Sequence, residues 1–382
     1  MKVTFINRMM GIARGGGEYF DLNMARALAK IGVEIRFVTG RRVRRLDFPL
    51  DDFQTTYIKT PYLRTIDYRF NKTKSRLFAA GLRRLRWLDG RLFSLSAKRL
   101  LLRDSSSDIY QICALAWLGA ELTSAGRMAV IRWPGPPSER VASLARNCAG
   151  VFSHGTSYEE ARKWDPRVEY IVAGCDTELF RPREKKPAEP GQCRFLFVGR
   201  CIPVKNLEFL IKGFGEAKKY RPDIGLEIVG DGALLRKLKE QATALNLKEA
   251  ITFSGALSGS ALAERYQAAD CFTLVSTYES FSLVAQEAMS SGLVLILSKV
   301  GNLPFFVEKF KAGSLIESGS VEQLRDAMIW WADNPAERIK TGKRNREAVE
   351  GNFTWEASAK KLRAFYERLL KENGRAQGRN RA

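Results

Sequence analysis

The sequence predicts an α/β protein of two doubly wound parallel-sheet domains facing a cleft, with helices at the carboxyl end. Three observations predict it. Short apolar strand candidates alternate with helical stretches through both halves of the 382-residue chain, a pattern that implies parallel sheets flanked by helices. The segment "RPREKKPAEPGQ" (181–192), rich in proline and charge, separates the two series as a hinge would. Glycines, cations and carboxylates gather just after the strand candidates, where ligands bind in open parallel sheets.

Taken in order, the expected strands of the first half are 3–6, 34–38, 108–112, 129–132, 151–153 and 169–172, with helices over 18–30 and 158–164 between them. In the second half, strands are expected at 194–198, 225–229, 251–253, 272–275 and 293–297. Helices follow around 206–218, 233–245, 260–268 and 283–290. After residue 320 the chain reads as helical. The domain boundaries that result are 1–180 for the first domain, 181–192 for the linker and 193–353 for the second. A helix over 355–373 is placed to pack back on the first domain, and 374–382, the end of "ENGRAQGRNRA", reads as a disordered tail.

Composition narrows the function classes. Hydrophobic residues make up 45% and charged residues 27%, a globular balance. No apolar run reaches the roughly 18–20 residues needed to span a bilayer. The start, "MKVTFINRMM", lacks a signal-peptide core and reads as a first strand, so the expected location is cytoplasmic. The six cysteines form no C-x-x-C pair, which disfavours a disulfide framework or zinc site. His154 is the only histidine, against a histidine-based metal centre; it remains a candidate catalytic acid or base, or a loop histidine without chemistry.

The residues after the strands carry the functional signal. "MMGIARGGGEYF" sets Gly15, Gly16 and Gly17 before a helix, where backbone can approach an anion and meet free N–H groups. A dinucleotide site is the rival reading. The spacing is not G-x-G-x-x-G, and "VTGRRVRR" offers no acid for a ribose, although Arg41 or Arg42 would suit a 2′-phosphate. "GRCIPVKN" brings Arg200 and Lys205 toward one anion at a strand end. In "EIVGDGALLRKLKE", Gly230 and Gly232 suit either a structural turn or a ligand contact, with Asp231 as a helix cap. In "YESFSLVAQE", Glu279 falls in a loop and a helix starts near Ser280 or Ser282. Its first amides can bind phosphate, and Glu287, further along the helix, can accept two hydroxyl hydrogen bonds. Together these describe a nucleotide-sugar site.

In this order the motifs resemble the retaining glycosyltransferases of family 4, which have the GT-B fold of two Rossmann-like domains. "GCDTELFRP" is similar to the family's N-G-V-D-x-x-x-F-x-P junction, "VGRCIPVKN" to its R-x4-K, "VGDGALL" to its G-D-G-P-L turn and "ESFSLVAQE" to its E-x7-E. The resemblance implies that Arg200 and Lys205 neutralise the diphosphate leaving group. It gives Glu279 the donor sugar's hydroxyls and Glu287 the ribose. Amides near Phe281, Ser282 and Leu283 contact phosphate or sugar, and Gly16 and Gly17 border donor phosphates and acceptor. It implies a nucleotide-diphosphate sugar as co-substrate, a glycan or lipid-linked acceptor and no bound metal. Departures are visible: "VIRWPGPPS" has Arg132 or Trp133 where the family often carries a histidine, "GNLPF" has Asn302 for a glycine and Phe305 for an acid, and "SGLVLI" lacks a proline. A nucleotide-sugar epimerase or hydrolase on the same scaffold is an alternative, as is a non-catalytic nucleotide-sugar or membrane-surface binding protein.

The formal charge of +21 is unevenly spread. Lys59 to Arg103 holds thirteen Lys or Arg against Asp67 and Asp89, a net +11, which predicts a polyanionic neighbour. An anionic inner membrane surface is the expected partner; specific nucleic acid is not expected, because no reading motif accompanies the charge. Phe78, Leu82, Leu85, Leu88, Leu92 and Leu95 recur at helical spacing, which predicts a helix packed on the first domain through that stripe, its arginines in water.

Overall fold

A computed structural model describes residues 1–10, 16–41, 50–59, 76–104, 106–135, 137–183 and 193–379. Expectations for Gly15, for Arg42, for 184–192 of the linker, for 60–75 of the basic segment and for 380–382 of the tail lie outside the described residues, as do the side chains of Arg41, Phe78 and Leu82. The chain divides into two compact units, Met1–Ala173 with Trp355–Ala382, and Gly174–Thr354.

The first unit is built on seven parallel strands: β1 (Lys2–Ile6), β2 (Glu34–Arg41), β3 (Gln54–Lys59), β4 (Ile109–Cys113), β5 (Ala129–Arg132), β6 (Gly150–Ser153) and β7 (Glu169–Tyr170). They lie in the order β3-β2-β1-β4-β5-β6-β7. The central strands are apolar on both faces, as a sheet covered on both sides requires: Val3, Phe5, Ile112, Val130, Ile131 and Phe152 are all buried. Strand β3 escaped the sequence reading because only Ile58 of "QTTYIK" is buried, so the edge strand carries almost no apolar signal. Helices α1 (Gly16–Lys30), α2 (Arg76–Arg103), α3 (Ala116–Ser124), α4 (Glu139–Ala145) and α5 (Thr156–Trp164) connect the strands.

Helix α2 forms where the apolar spacing places it, but it packs through a different face. Phe93, Ala97 and Leu101, spaced at i, i+4 and i+8, enter the core beside Ile58, Ile112 and Leu118. Asp89, one turn earlier on that face, is buried in an ion pair with Arg8. Leu85, Leu88, Leu92 and Leu95 are exposed instead. The helix has two apolar faces, and periodicity alone could not say which one meets the sheet.

The second unit repeats the plan. Strands β8 (Arg194–Val198), β9 (Gly225–Val229), β10 (Ile251–Gly255), β11 (Cys271–Leu274), β12 (Val294–Ser298) and β13 (Gly313–Ile316) form a parallel sheet in the order β10-β9-β8-β11-β12-β13. Its helices are α6 (Leu207–Tyr220), α7 (Leu235–Ala244), α8 (Gly259–Ala268), α9 (Leu283–Ser290), α10 (Leu303–Phe310), α11 (Val321–Asp333) and α12 (Pro335–Asn352). Strand β13 was also unforeseen. It opens on Gly313, at φ 154°, where a Cβ would lie 1.9 Å from the carbonyl oxygen of Leu295; four residues led by glycine give no strand pattern.

Helix α13 (Trp355–Arg379) belongs with the first unit and packs on α1. It buries Leu362, Phe365, Tyr366 and Leu369. Phe365 meets Phe152 edge-on at 6.5 Å, and Trp355 meets Phe20 at 5.7 Å. Gly150 of β6 leaves room for Leu369, whose Cδ1 would come within 2.6 Å of a Cβ there. The expectation of disorder from residue 374 is corrected over 374–379, where the helix continues to Arg379. The charged, straight-chain residues of the last turns sustain a helix despite two glycines.

Candidate active site

In both sheets the strand order reverses beside the first strand, between β1 and β4 and between β8 and β11. Ligands in doubly wound sheets bind beyond the carboxyl ends of the strands at such a reversal. In the second unit the loops after β8, β9 and β11 converge there and are bonded to one another.

The loop after β8 is zipped to the loop after β9 by backbone. Gly199 N–H donates to Val229 O at 3.0 Å, Cys201 N–H to Asp231 O at 2.9 Å and Leu234 N–H to Cys201 O at 3.0 Å. This contact explains Gly230. Its φ is 148°, and a Cβ would sit 1.8 Å from the carbonyl oxygen of Gly199, so only glycine fits. Of the two readings left open by the sequence, backbone packing accounts for this glycine. Asp231 does not cap the following helix. Its carboxylate accepts from the N–H of Gly232 at 2.6 Å, and α7 begins after Leu234. Arg200 extends from this zipped loop with its side chain exposed.

Beyond it a short 3₁₀ turn, Pro203–Lys205, is tied to the loop after β11, where Thr277 N–H donates to Val204 O at 2.9 Å. That tie brings Lys205 Nζ onto Glu279 Oε1 in a largely buried ion pair. Ser276 Oγ donates to the same carboxylate oxygen at 3.0 Å. From behind, Ser298 Oγ donates to Ser276 O at 2.7 Å. Asn302 N–H donates to Glu279 O at 3.1 Å. Gly301, at φ +53°, approaches Glu279 so closely that a Cβ would lie 1.8 Å from its carbonyl oxygen. Glu279 is therefore fixed through both side chain and backbone.

Two residues on, Phe281 packs on Phe306 at 6.0 Å between ring centres. Ser282 caps α9, its Oγ accepting from the N–H of Ala285 at 3.3 Å. The first amides of a helix, here at and beside Leu283, have no intrahelical partner, and the helix dipole favours an anion at that end. One turn further along, Tyr266 Oη of α8 donates to Glu287 Oε2 at 2.8 Å. Removal from water pushes the Glu287 carboxyl up to about 7, against the lowering effect of Tyr266. The same desolvation, with Glu287 nearby, raises the Cys175 thiol well above its ordinary range.

The sequence reading missed the residues that hold this assembly from far along the chain. Arg346 Nη1 donates to Thr177 O, Phe180 O and Ser290 O at 2.8–3.0 Å, fastening "GCDTELFRP" to α9. Asn345 Nδ2 donates to Leu293 O at 2.8 Å and Ala312 O at 3.0 Å, joining the starts of β12 and β13. No local pattern marks either one.

Gly16, Gly17 and His154 lie in the first unit, whereas Arg200, Lys205, Gly230, Glu279, Phe281, Ser282, Leu283 and Glu287 lie in the second. Gly16 and Gly17 open α1, and the carbonyl of Gly17 accepts from Arg132 Nη2 at 3.0 Å. Arg132 is fully buried. Its Nε pairs with Asp21 Oδ1 at 2.8 Å and its Nη2 donates to Asp21 Oδ2 at 3.0 Å; Asn7 Nδ2 donates to Oδ2 as well, at 2.7 Å. Burial alone would lower the Arg132 pKa, but Asp21 outweighs it and holds the guanidinium charged. Glu18 is raised, by burial first and then by Asp21. Where the resemblance leads one to expect a histidine, this chain anchors the first turn of α1 with a buried arginine.

His154 is buried and stacked on Phe20, with ring centres 5.5 Å apart and planes 12° from parallel. Burial, reinforced by Arg132, depresses its pKa to about 3. The ring is therefore neutral at physiological pH. Among the described residues no group of three or more His, Cys, Asp or Glu could hold a metal ion. Nor is any helix among them long and apolar enough to cross a membrane.

Residues 180–348, nearly all of the second unit, match the family model described as glycosyl transferases group 1. The D-inositol 3-phosphate glycosyltransferase of Segniliparus rotundus is 32% identical over 245 residues, covering 61% of this chain and 53% of that protein. The sulfoquinovosyl transferase SQD2 of Arabidopsis thaliana is 28% identical over 224 residues, 56% of this chain and 41% of that one. The chain thus spans about half the length of the curated relatives it matches. Among solved structures, sucrose-phosphate synthase from Thermosynechococcus elongatus superposes with a TM-score of 0.78 at 22% identity, over 97% of this chain and 99% of that one. Anabaena HepE, solved with UDP and glucose, gives a TM-score of 0.73 at 16% identity, over 96% and 99%. The chain has the two-domain GT-B fold and, through its second unit, is related to the glycosyl transferases group 1.

Proposed function

We propose that the protein is a retaining glycosyltransferase of family 4, moving a sugar from a nucleotide-diphosphate donor to a glycan or lipid-linked envelope acceptor on the cytoplasmic side. The observation that carries this reading is the junction at the β8/β11 reversal. There Lys205 pairs with the fixed carboxylate of Glu279, Ser282 caps the start of α9, and Arg200 stands exposed on the loop after β8. A diphosphate suits the cations and amides, sugar hydroxyls suit Glu279, and ribose hydroxyls suit Glu287.

Catalysis in this reading is leaving-group stabilisation. As the bond from the anomeric carbon to the diphosphate oxygen breaks, its electron pair stays on that oxygen and positive charge grows on the sugar. Lys205 and Arg200 neutralise the departing phosphate, and α9 amides near Phe281, Ser282 and Leu283 add their dipole. Lys205 and Glu279 are preorganised, because backbone bonds between three loops and their own ion pair hold them. Glu279 orients the donor sugar while keeping Lys205 in place. Gly230 shapes the turn beneath the donor, and no metal is required. Attack by an acceptor hydroxyl oxygen from the face of the departing phosphate, with its proton passing to that phosphate oxygen, would retain the anomeric configuration.

The test is turnover of Lys205→Ala and Glu279→Ala against wild type with saturating donor. Losses of roughly 10²–10³ in kcat are expected for groups acting on developing charge. Folded variants that keep wild-type kcat would overturn the assignment.

A further inference from the structure

Helix α2 carries a second apolar face that the fold does not use. Leu85, Leu88, Leu92 and Leu95 recur at i, i+3, i+7 and i+10, each 41–48% exposed, and Trp87 beside them is 62% exposed. They lie opposite Phe93, Ala97 and Leu101, which fill the core. A contiguous stripe of large apolar side chains along one helix is unusual on a free surface and marks something that covers it.

The charges identify what covers it. The helix contains eight Lys or Arg and one acid, Asp89. Asp89 points inward to Arg8, so its negative charge does not reach the outer face. Arg84, Arg99 and Arg103 are exposed. Arg91 is stacked over Trp117 at 3.8 Å and reaches the Trp87 ring at 5.5 Å. Leucines in a stripe, an aromatic belt residue and arginines on the flanks are what an interfacial helix presents to a bilayer: acyl chains take the leucines, the headgroup level takes tryptophan, and the guanidinium groups reach lipid phosphates. A second copy of this chain would bring like charges together, and nucleic acid would leave the leucines in water. No described helix is long and apolar enough to cross a membrane.

We propose that the outer face of α2, centred on Leu88 and Leu92, docks the first unit on an anionic lipid bilayer. This surface does not depend on the transfer reaction, so the two readings fail separately. The experiment is co-sedimentation of the full chain with vesicles of phosphatidylcholine alone or mixed with phosphatidylglycerol, at low and high salt, for wild type and the double variant Leu88→Ser with Leu92→Ser. Both substitutions are at exposed positions, and an unchanged melting temperature verifies the fold. The wild type is expected to pellet with the anionic vesicles, less so at high salt, and the variant to lose affinity roughly tenfold or more. Several results would overturn the proposal: wild type remaining in the supernatant, equal binding to neutral vesicles, or a variant that pellets like wild type. So would a wild-type dimer that the variant dissolves without any vesicle binding, or a nucleic-acid shift lost in the variant, each of which would give the face another occupant.

Discussion

Glu279 and Glu287 differ in electrostatic situation although seven residues separate them. Glu279 is paired with Lys205 and held by Ser276. Glu287 has no cation among its hydrogen-bonding partners, only the Tyr266 hydroxyl, and loss of water lifts it from an ordinary 4.5 to about 7. A carboxyl whose pKa is higher in the folded protein stabilises the fold fully below 4.5, and that contribution is lost as pH rises through 7. The melting temperature of wild type should therefore fall relative to Glu287→Gln between pH 4.5 and 7, with a constant gap above. A calorimetric pH series checks this, and a gap that does not change within the window contradicts it. The spacing of the two glutamates, the cations after β8 and a helix start near Ser280 or Ser282 were legible in the sequence. Ser298, Gly301 and Tyr266 were not, because each reaches the site only through the sheet and helix packing.

Among the elements, α1 and α13 show how the first unit is held. Arg132 and Asp21 are both buried, and Arg132 ties the end of β5 to the first turn of α1 through Gly17. Removing one partner leaves a charge without compensation at a cost of about 3–5 kcal/mol. Asp21→Ala should lose that much stability in chemical denaturation, and Asp21→Leu with Arg132→Met should recover most of it. A loss below about 1 kcal/mol for Asp21→Ala would contradict the account. The sequence showed Arg132 only as a departure from a family pattern; its partner, 111 residues earlier, could not be read from any spacing. Helix positions were legible because apolar residues recur at helical period. Their facing was not, since α2 carries two such stripes and only the packed core selects between them. Edge strands β3 and β13 were silent for the opposite reason: too few of their side chains are buried to leave a pattern.

At the scale of the whole molecule, two parallel sheets of the same winding each place an anion-friendly helix start beside the strand reversal. The duplication was readable from the alternation of elements; the second unit opens at Gly174, ahead of the proline- and charge-rich segment 181–192. The return of α13 to the first unit is a tertiary event, written in the burial of Leu362, Phe365, Tyr366 and Leu369. The excess charge, +21 in all, was visible at once, whereas the apolar face that accompanies it emerged only from the packing of α2. The central claim is that the second unit holds a nucleotide-diphosphate sugar for transfer to an acceptor. The most direct test incubates the protein with UDP-, GDP- and ADP-sugars and a panel of glycan and lipid-linked acceptors, with mass spectrometry of the products. A glycosylated product should form with one donor, only when acceptor is present, and its yield should collapse in Lys205→Ala and Glu279→Ala. Donor that is epimerised or hydrolysed equally with and without acceptor, or bound and returned unchanged across the panel, would contradict the claim.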